Sequence, residues 1–266
     1  MRSIITLTTD FGLVDGFVGA MKGVILSIVP QVHIVDISHQ IPRHCIKAGA
    51  WVLWGAQEHF PDGSIHIGVV DPGVGSSRGA LVLQTERAFF VSPNNGLLSR
   101  VLASEVVIRA HELKEERYWL PRVGNTFHGR DIFAPVAAHI ARGVPLEEFG
   151  PPMDSPVAFT IPEPRVGERG TMVGQVIYVD GFGNLITNLE RSGLGQDREW
   201  TILAGDRLIG PIRNAYADAD EGELVALWGS QDTLEIAVRE GRADQALRCG
   251  EGAEVRAAPG PMSPGH

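Results

Sequence analysis

Cysteine is almost absent. The 266-residue chain has two, Cys45 and Cys249, far apart and in no C-x-x-C spacing. That argues against a disulfide scaffold and against a cysteine-based zinc site. Positive charge is also scarce: 23 Lys and Arg against 32 Asp and Glu leave a net charge of −9. Such a balance disfavours an electrostatic grip on a phosphate backbone, so no nucleic-acid partner is expected. No apolar run reaches the roughly 20 residues of a membrane-spanning helix, so no membrane partner is expected either. The opening residues, MRSIITLTTDFG, lack the long apolar stretch and small-residue cleavage site of a signal peptide. A reduced, cytoplasmic location is therefore the expectation. What the chain does have is 44% apolar and 21% charged residues, enough for a full core and incompatible with global disorder.

The first half alternates strand and helix patterns. Ser3–Thr9 is β-rich and ends at Asp10. Phe17, Ala20, Met21, Val24 and Ile28 then fall on one helical face, and Pro30 closes that helix. Val32–Ile37 reads as a second, buried strand. A helical stripe through Ile46, Ala50, Leu53 and Trp54 follows, and Ser64–Val70 reads as a third strand. This β-α-β-α-β order predicts parallel strands joined by right-handed crossovers. Ala80–Thr85 and Phe89–Ser92 read as a strand pair, Pro93-Asn94-Asn95-Gly96 as a turn, and Ile132–Ile140 as a further helix that Pro135 keeps from starting early. Six prolines between Gly143 and Gly170 mark a boundary. Beyond it, Thr171–Val179, Leu185–Asn188, Trp200–Leu203, Glu223–Trp228 and Thr233–Val238 are short β-rich runs, and Ala243–Leu247 is a short helix. The predicted fold is α/β: an N-terminal α/β domain (1–160) with a mostly parallel sheet, a C-terminal antiparallel β-barrel-like domain (161–258), and a frayed tail (259–266).

Asp10, Asp36 and Asp71 each follow a predicted parallel strand. Ligands of open α/β sheets bind at that edge, and three carboxylates there suit a cationic or hydroxyl-rich ligand. The plainer alternative is that each caps a turn or a helix. A carboxylate at a strand end can accept two hydrogen bonds from a ribose diol. Asp71-Pro72-Gly73-Val74-Gly75-Ser76-Ser77-Arg78 is a glycine-rich loop but lacks the Gly-Lys-Ser/Thr ending of a phosphate-binding P-loop. Asp71 and Arg78 bracket it. His128 sits in Gly124-Asn125-Thr126-Phe127-His128-Gly129-Arg130-Asp131, ahead of a helix, and its near-neutral titration suits proton handling. Asp36 and His39 form a weak metal-ligand pair. In the C-terminal half, Tyr178-Val179-Asp180-Gly181-Phe182-Gly183-Asn184 offers a carboxylate, an aromatic ring and an amide. Those groups suit an ammonium, a stacked base and a base edge, although a glycine-bearing hairpin turn explains the segment equally. Trp228-Gly229-Ser230-Gln231 adds polar donors at another strand end.

Together the segments TTDFGLVDGFVGAMKG, VDISHQIP, VVDPGVGSSR, SPNNGLL, TFHGRDIFAP, YVDGFGNLITN and LEIAV resemble the S-adenosyl-L-methionine (SAM) hydroxide adenosyltransferases, also called SAM hydrolases, which are relatives of the fluorinases and chlorinases. The resemblance spans nearly the whole chain except the tail. It implies hydrolysis of SAM to adenosine and L-methionine, with SAM as substrate and no cofactor or metal. It also implies a homotrimer whose ligand lies between the N-terminal domain of one subunit and the C-terminal domain of the next. By the same resemblance Asp71, Arg78 and His128 are the catalytic set that handles the attacking water, and Asp10 takes the ribose diol. Phe182 and Asn184 take adenine, and Asp180 and Ser230 the methionine amino end. One departure is Gln231, where the halogenating relatives carry an arginine near the methionine carboxylate.

Three other functions fit parts of this pattern. A SAM-dependent halide adenosyltransferase is the nearest, but a carboxylate at Asp71 would repel an incoming halide. A non-catalytic adenosine- or SAM-binding protein would need Asp10, Phe182 and Asn184 only. A metal phosphoesterase would use Asp10, Asp36 and Asp71.

Overall fold

The computed structural model describes residues 3–195 and 198–261. The chain divides into two compact units, residues 1–161 and 162–266.

The first unit is built on strands β1 (Ile4–Thr9), β2 (His33–Ser38), β3 (Ser64–Val69), β4 (Ala80–Thr85), β5 (Ala88–Pro93) and β6 (Val107–Glu112). Its helices are α1 (Phe17–Ile28), α2 (Ile46–Gln57), α3 (Ser99–Ser104) and α4 (Ala134–Ala141). The sheet order is β2-β1-β3-β5-β4-β6. β1 pairs in parallel with β2 and β3, and β3 with β5, whereas β4 is antiparallel to both its neighbours. The sheet is thus mostly parallel. Alternation sorts its side chains to two faces. Ile5, Leu7, Ile65 and Ile67 pack with Val18, Met21 and Ile25 of α1 and Val136 and Ile140 of α4. Leu81, Leu83 and Phe90 pack with Leu53, Leu98 and Val101. Helices on both faces explain why β3 is buried at every residue. Pro135 stands in the first turn of α4, where its missing N–H costs nothing. Gly129–Phe133 form a wider, i→i+5 turn just before it.

Two expectations need correcting. The second strand is not buried: β2 is an edge strand, with His33, Val35 and Asp36 exposed. Asp36 lies within that strand rather than after it. The stretch reads as a buried strand because Val32, Ile34, Val35 and Ile37 are apolar, but at the edge of the sheet no residue from His33 to Ser38 is fully buried.

The second unit contains β7 (Arg165–Val166), β8 (Met172–Val179), β9 (Leu185–Glu190), β10 (Trp200–Ala204), β11 (Arg207–Arg213), β12 (Leu224–Trp228), β13 (Thr233–Val238) and β14 (Glu254–Pro259), with short helices α5 (Arg191–Leu194) and α6 (Ala243–Leu247). The order β14-β10-β11-β12-β13-β9-β8, closed by a β14–β8 pairing, makes a seven-strand barrel, with β7 added outside it. All its pairings are antiparallel except β11–β12. Val176, Leu185, Leu189, Ile202, Leu234, Ile236 and Val255 fill the core. Closure leaves the ring without a free edge. The tail read as frayed begins at Pro259, which ends β14; residues 262–266 lie outside the described residues.

Candidate active site

β1 and β3 are neighbours, yet the chain leaves β1 toward β2 on one side and returns to β3 on the other. This reversal makes a topological switch point, the place where open α/β sheets open a crevice beyond the strands' carboxyl ends. Asp10 follows β1 and Asp71 follows β3 there. Both line a cavity of about 360 Å³, together with His128 and an aromatic wall of Phe11, Phe17 and Phe127. The three rings meet edge to face at centroid separations of 5.2–6.0 Å.

Arg78 stands behind this cavity rather than among its lining residues, and it ties two of them together. Its Nε donates to both Asp71 oxygens at 2.9 and 3.0 Å. Its Nη2 donates to Asp71 Oδ2 and, at 2.7 Å, to His128 Nδ1. Nη1 donates to the Gly79 carbonyl at 3.2 Å. The ion pair is sheltered, with side-chain exposures of 11% for Arg78 and 4% for Asp71. The guanidinium also lies 5.5 Å from the Phe133 ring centroid. Because arginine only donates, Nδ1 of His128 must accept, which fixes a neutral imidazole with its proton on Nε2. Burial and the Arg78 charge both push the His128 pKa below its usual value, against opposing pulls from Asp71 and Asp131. The neutral ring is therefore the favoured form.

The loops carrying these groups are locked to each other. Gly75 adopts φ +77°, a left-handed conformation, and a Cβ there would collide with the Asn125 carbonyl. Only glycine meets both demands. Asp131, fully buried, accepts from the Gly124 amide at 2.8 Å and from Arg130 Nε at 2.6 Å. It clamps the His128 loop, a role that the sequence reading missed. An aspartate at the start of an otherwise apolar helical face was the available signal. Asp10 accepts from the His44 amide at 2.8 Å, and His44 itself sits at φ 65°.

Asp36 does not join Asp10 and Asp71 in the cavity. Lys22 donates to it at 2.6 Å, and His39 Nε2 lies 3.1 Å away, with His39 Nδ1 bonded to Thr9 Oγ1 at 2.8 Å. Burial would raise the Asp36 pKa, but the Lys22 and His39 contacts outweigh it and hold the carboxyl low. Of the expected trio only Asp10 and Asp71 reach the cavity, because Asp36 is spent on an ion pair at the sheet edge; Asp15 lines the cavity instead.

In the second unit, Asp180, Phe182 and Asn184 share the β8–β9 turn. Asp180 Oδ1 accepts from the Phe182 and Asn184 amides, both at 2.9 Å, and Oδ2 from Asn184 Nδ2 at 3.1 Å. This anchoring leaves Phe182 78% exposed. Phe182 and Asn184 line a cavity of about 780 Å³ with Tyr216, Val238 and Arg242. Ser230 lies in the β12–β13 turn and donates to Gln231 Oε1 at 3.1 Å.

A carboxylate and an imidazole fixed by one guanidinium, in a crevice at a switch point, define an enzyme of the hydrolytic or group-transfer class. Comparison with known proteins narrows this. Residues 5–150 match the SAM hydroxide adenosyltransferase N-terminal domain, and residues 174–256 its C-terminal domain. The chain therefore belongs to the SAM hydroxide adenosyltransferase family. It is 38% identical to an (R)-S-adenosyl-L-methionine hydrolase of Thermus thermophilus, over 96% of this chain and 99% of that one. A fluorinase of Actinoplanes sp. is 29% identical over 88% and 90%. The crystal structure of an uncharacterized conserved protein from Thermotoga maritima superposes with a TM-score of 0.87 at 36% identity, covering 96% and 99%.

Proposed function

We propose that the protein hydrolyses SAM to adenosine and L-methionine by attack of water at C5′ of the adenosyl group. The observation that carries this reading is the Asp71–Arg78–His128 network facing the cavity that Asp10 also lines. The sulfonium leaves as a neutral thioether, so the leaving group needs no help; the weak nucleophile sets the barrier, since bulk water has a pKa near 15.7. Asp71 is the base that takes the water proton as the C5′–O bond forms and the C5′–S bond breaks. Arg78, with most of its donors engaged, orients Asp71 and His128 and supplies positive potential behind the developing hydroxide. His128, neutral, holds that guanidinium through Nδ1. In-line placement of the water supplies a large share of the rate.

Asp10 accepts the ribose hydroxyls. Phe182 stacks on adenine and Asn184 reads its edge, while Asp180 and Ser230 serve the methionine amino end. The same reading makes the working molecule a cytoplasmic homotrimer, with the ligand held between copies. The exposure of Phe182 supports a ligand or partner covering that ring.

Incubation with SAM in ¹⁸O-water tests the chemistry. Adenosine labelled at its 5′ oxygen, with release of methionine, is expected; a 5′-halo-adenosine formed in the presence of fluoride or chloride would overturn it. Arg78→Ala should cut kcat by on the order of 10²–10⁴ while SAM binding changes little. Near-normal turnover by that variant removes Arg78 from the mechanism.

A further inference from the structure

The connection between β2 and α2 takes no part in the chemistry above, yet it grips the loop that carries Asp10. His39, one residue past β2, is 4% exposed. Its Nδ1 meets Thr9 Oγ1 at 2.8 Å, and Thr9, the last residue of β1, is fully buried. The same Thr9 oxygen accepts from the Phe11 amide at 3.3 Å. The His39 carbonyl accepts from the Gly12 amide at 2.7 Å, where Gly12 turns the chain at φ +70°. Further along the connection, the His44 amide donates to Asp10 Oδ2 at 2.8 Å. Asp10 is thus held directly by His44, and the backbone on either side of it is pinned by His39.

The direction of the hydrogen bonds follows from what lies behind the imidazole. His39 Nε2 is 3.1 Å from Asp36 Oδ1, and the other Asp36 oxygen takes Lys22 at 2.6 Å. A bare Nε2 facing a carboxylate would set lone pair against lone pair, so Nε2 carries the proton. In this tautomer Nδ1 accepts from the Thr9 hydroxyl, and the Thr9 oxygen is left to accept from Phe11. Every donor then points from the Asp10 loop toward the sheet edge: Phe11 N–H to Thr9, Thr9 O–H to His39, and His39 N–H toward Asp36. Holding the two strands together does not require this chain, because β1 and β2 already pair along their length through Thr8 and Ser38. What His39 adds is a grip on the loop beyond the strands.

We propose that His39 is a positioning residue for ribose recognition. Through Thr9 and Gly12 it sets where the Asp10 carboxylate and the Phe11 ring stand in the cavity that both line, while Asp36 and Lys22 fix its tautomer from behind. This rests on the reading that Asp10 accepts the ribose hydroxyls. A carboxylate that must take two hydroxyls at once tolerates little error in placement, since hydrogen bonds weaken steeply as their angles close.

Binding of adenosine and of 2′,3′-dideoxyadenosine to the full chain, measured by calorimetry, tests it, because the two ligands differ only in the diol. Wild type should bind adenosine roughly 10-fold or more tightly than the dideoxy compound, the range for hydrogen bonds to a charged group. His39→Leu, and Thr9→Val, which keeps the shape of the side chain, should each weaken adenosine about 10-fold and leave the dideoxy compound within about twofold, so that the preference for the diol collapses. His39→Asn, whose Oδ1 stands in for Nδ1 as acceptor, should recover most of the adenosine affinity. Unchanged adenosine affinity in Thr9→Val overturns the proposal. Equal weakening of both ligands shows a general structural role and overturns it too, as does a loss that asparagine fails to rescue. If His39→Leu does not fold, Thr9→Val and His39→Asn decide by the same criteria. Wild-type protein that binds both ligands alike defeats the ribose reading of Asp10 itself, a result distinct from the others.

Discussion

The two units present their functional groups in opposite ways. In the first, Asp71 and Arg78 are sheltered, joined by several hydrogen bonds, and held by loops that interlock through Gly75 and Asp131. In the second, Phe182 stands 78% exposed at the tip of a hairpin beside a wide cavity. The difference teaches where each kind of energy is needed. A network that must stabilise developing charge gains from being fixed in advance and shielded from water. A surface that recognises a base gains from being open until the ligand arrives, since its apolar area contributes only when covered. On the proposed function, chemistry belongs to the preorganised unit and recognition to the open one.

The largest effect should come from breaking the first unit's network at the base. Asp71→Asn keeps the shape and can still accept from Arg78, but it cannot take a proton. Turnover should fall on the order of 10²–10⁴-fold, with SAM affinity nearly unchanged in an equilibrium binding measurement. A variant that turns over normally would place the base elsewhere, and Asp10 and Asp15, which also line the cavity, would be next in line.

A second way to separate the units is by acid. Eight of the nine histidines lie before residue 161, and the ninth, His266, is outside the described residues. His66, in the middle of the first sheet, hydrogen-bonds Thr6 at 2.8 Å and stacks on Phe90. Burial lowers its pKa to about 4. The folded unit therefore keeps His66 neutral, while the unfolded chain takes up a proton below about pH 6.5. The stability that neutral burial confers is fully present above pH 6.5 and is lost as pH falls toward 4, by about 3 kcal/mol over that window. His128 and His139, also shifted down by burial, act in the same direction. Hydrogen exchange measured from pH 7 to 4.5 should show β1, β3 and β5 opening before the barrel strands. Barrel strands opening first, or both units together, would contradict this ordering.

The sequence made the first unit's frame legible because period and punctuation agreed there. The α1 face ran from Phe17 to Ile28, and β3 set Ile65, Ile67 and Val69 at alternate positions. The pairing of Asp71, Arg78 and His128 was not readable from spacing, since 50 residues separate Arg78 from His128; the motif resemblance brought them together. Strand β11 escaped notice because Gly210 and Pro211 lie inside it, and both weaken a strand pattern. It survives because it pairs on both sides around an irregular register with β10. Strand β6 was missed since Val107–Arg109 at its start are exposed and their alternation is broken.

The smallest of these effects belongs to the open unit. Phe182→Ala removes a ring from a turn whose geometry is set by Asp180 and not by the ring itself. The fold should therefore tolerate the change, with melting temperature nearly unchanged. Adenosine binding should weaken by about 1–3 kcal/mol, the usual worth of a base stacked on an aromatic side chain, or roughly 5- to 150-fold in Kd. If the ring acts only in recognition, kcat at saturating SAM should hold while KM rises. A fall in kcat with unchanged adenosine affinity would mean that this exposed ring helps position the reacting carbon, and the division of labour between the two units would have to be redrawn.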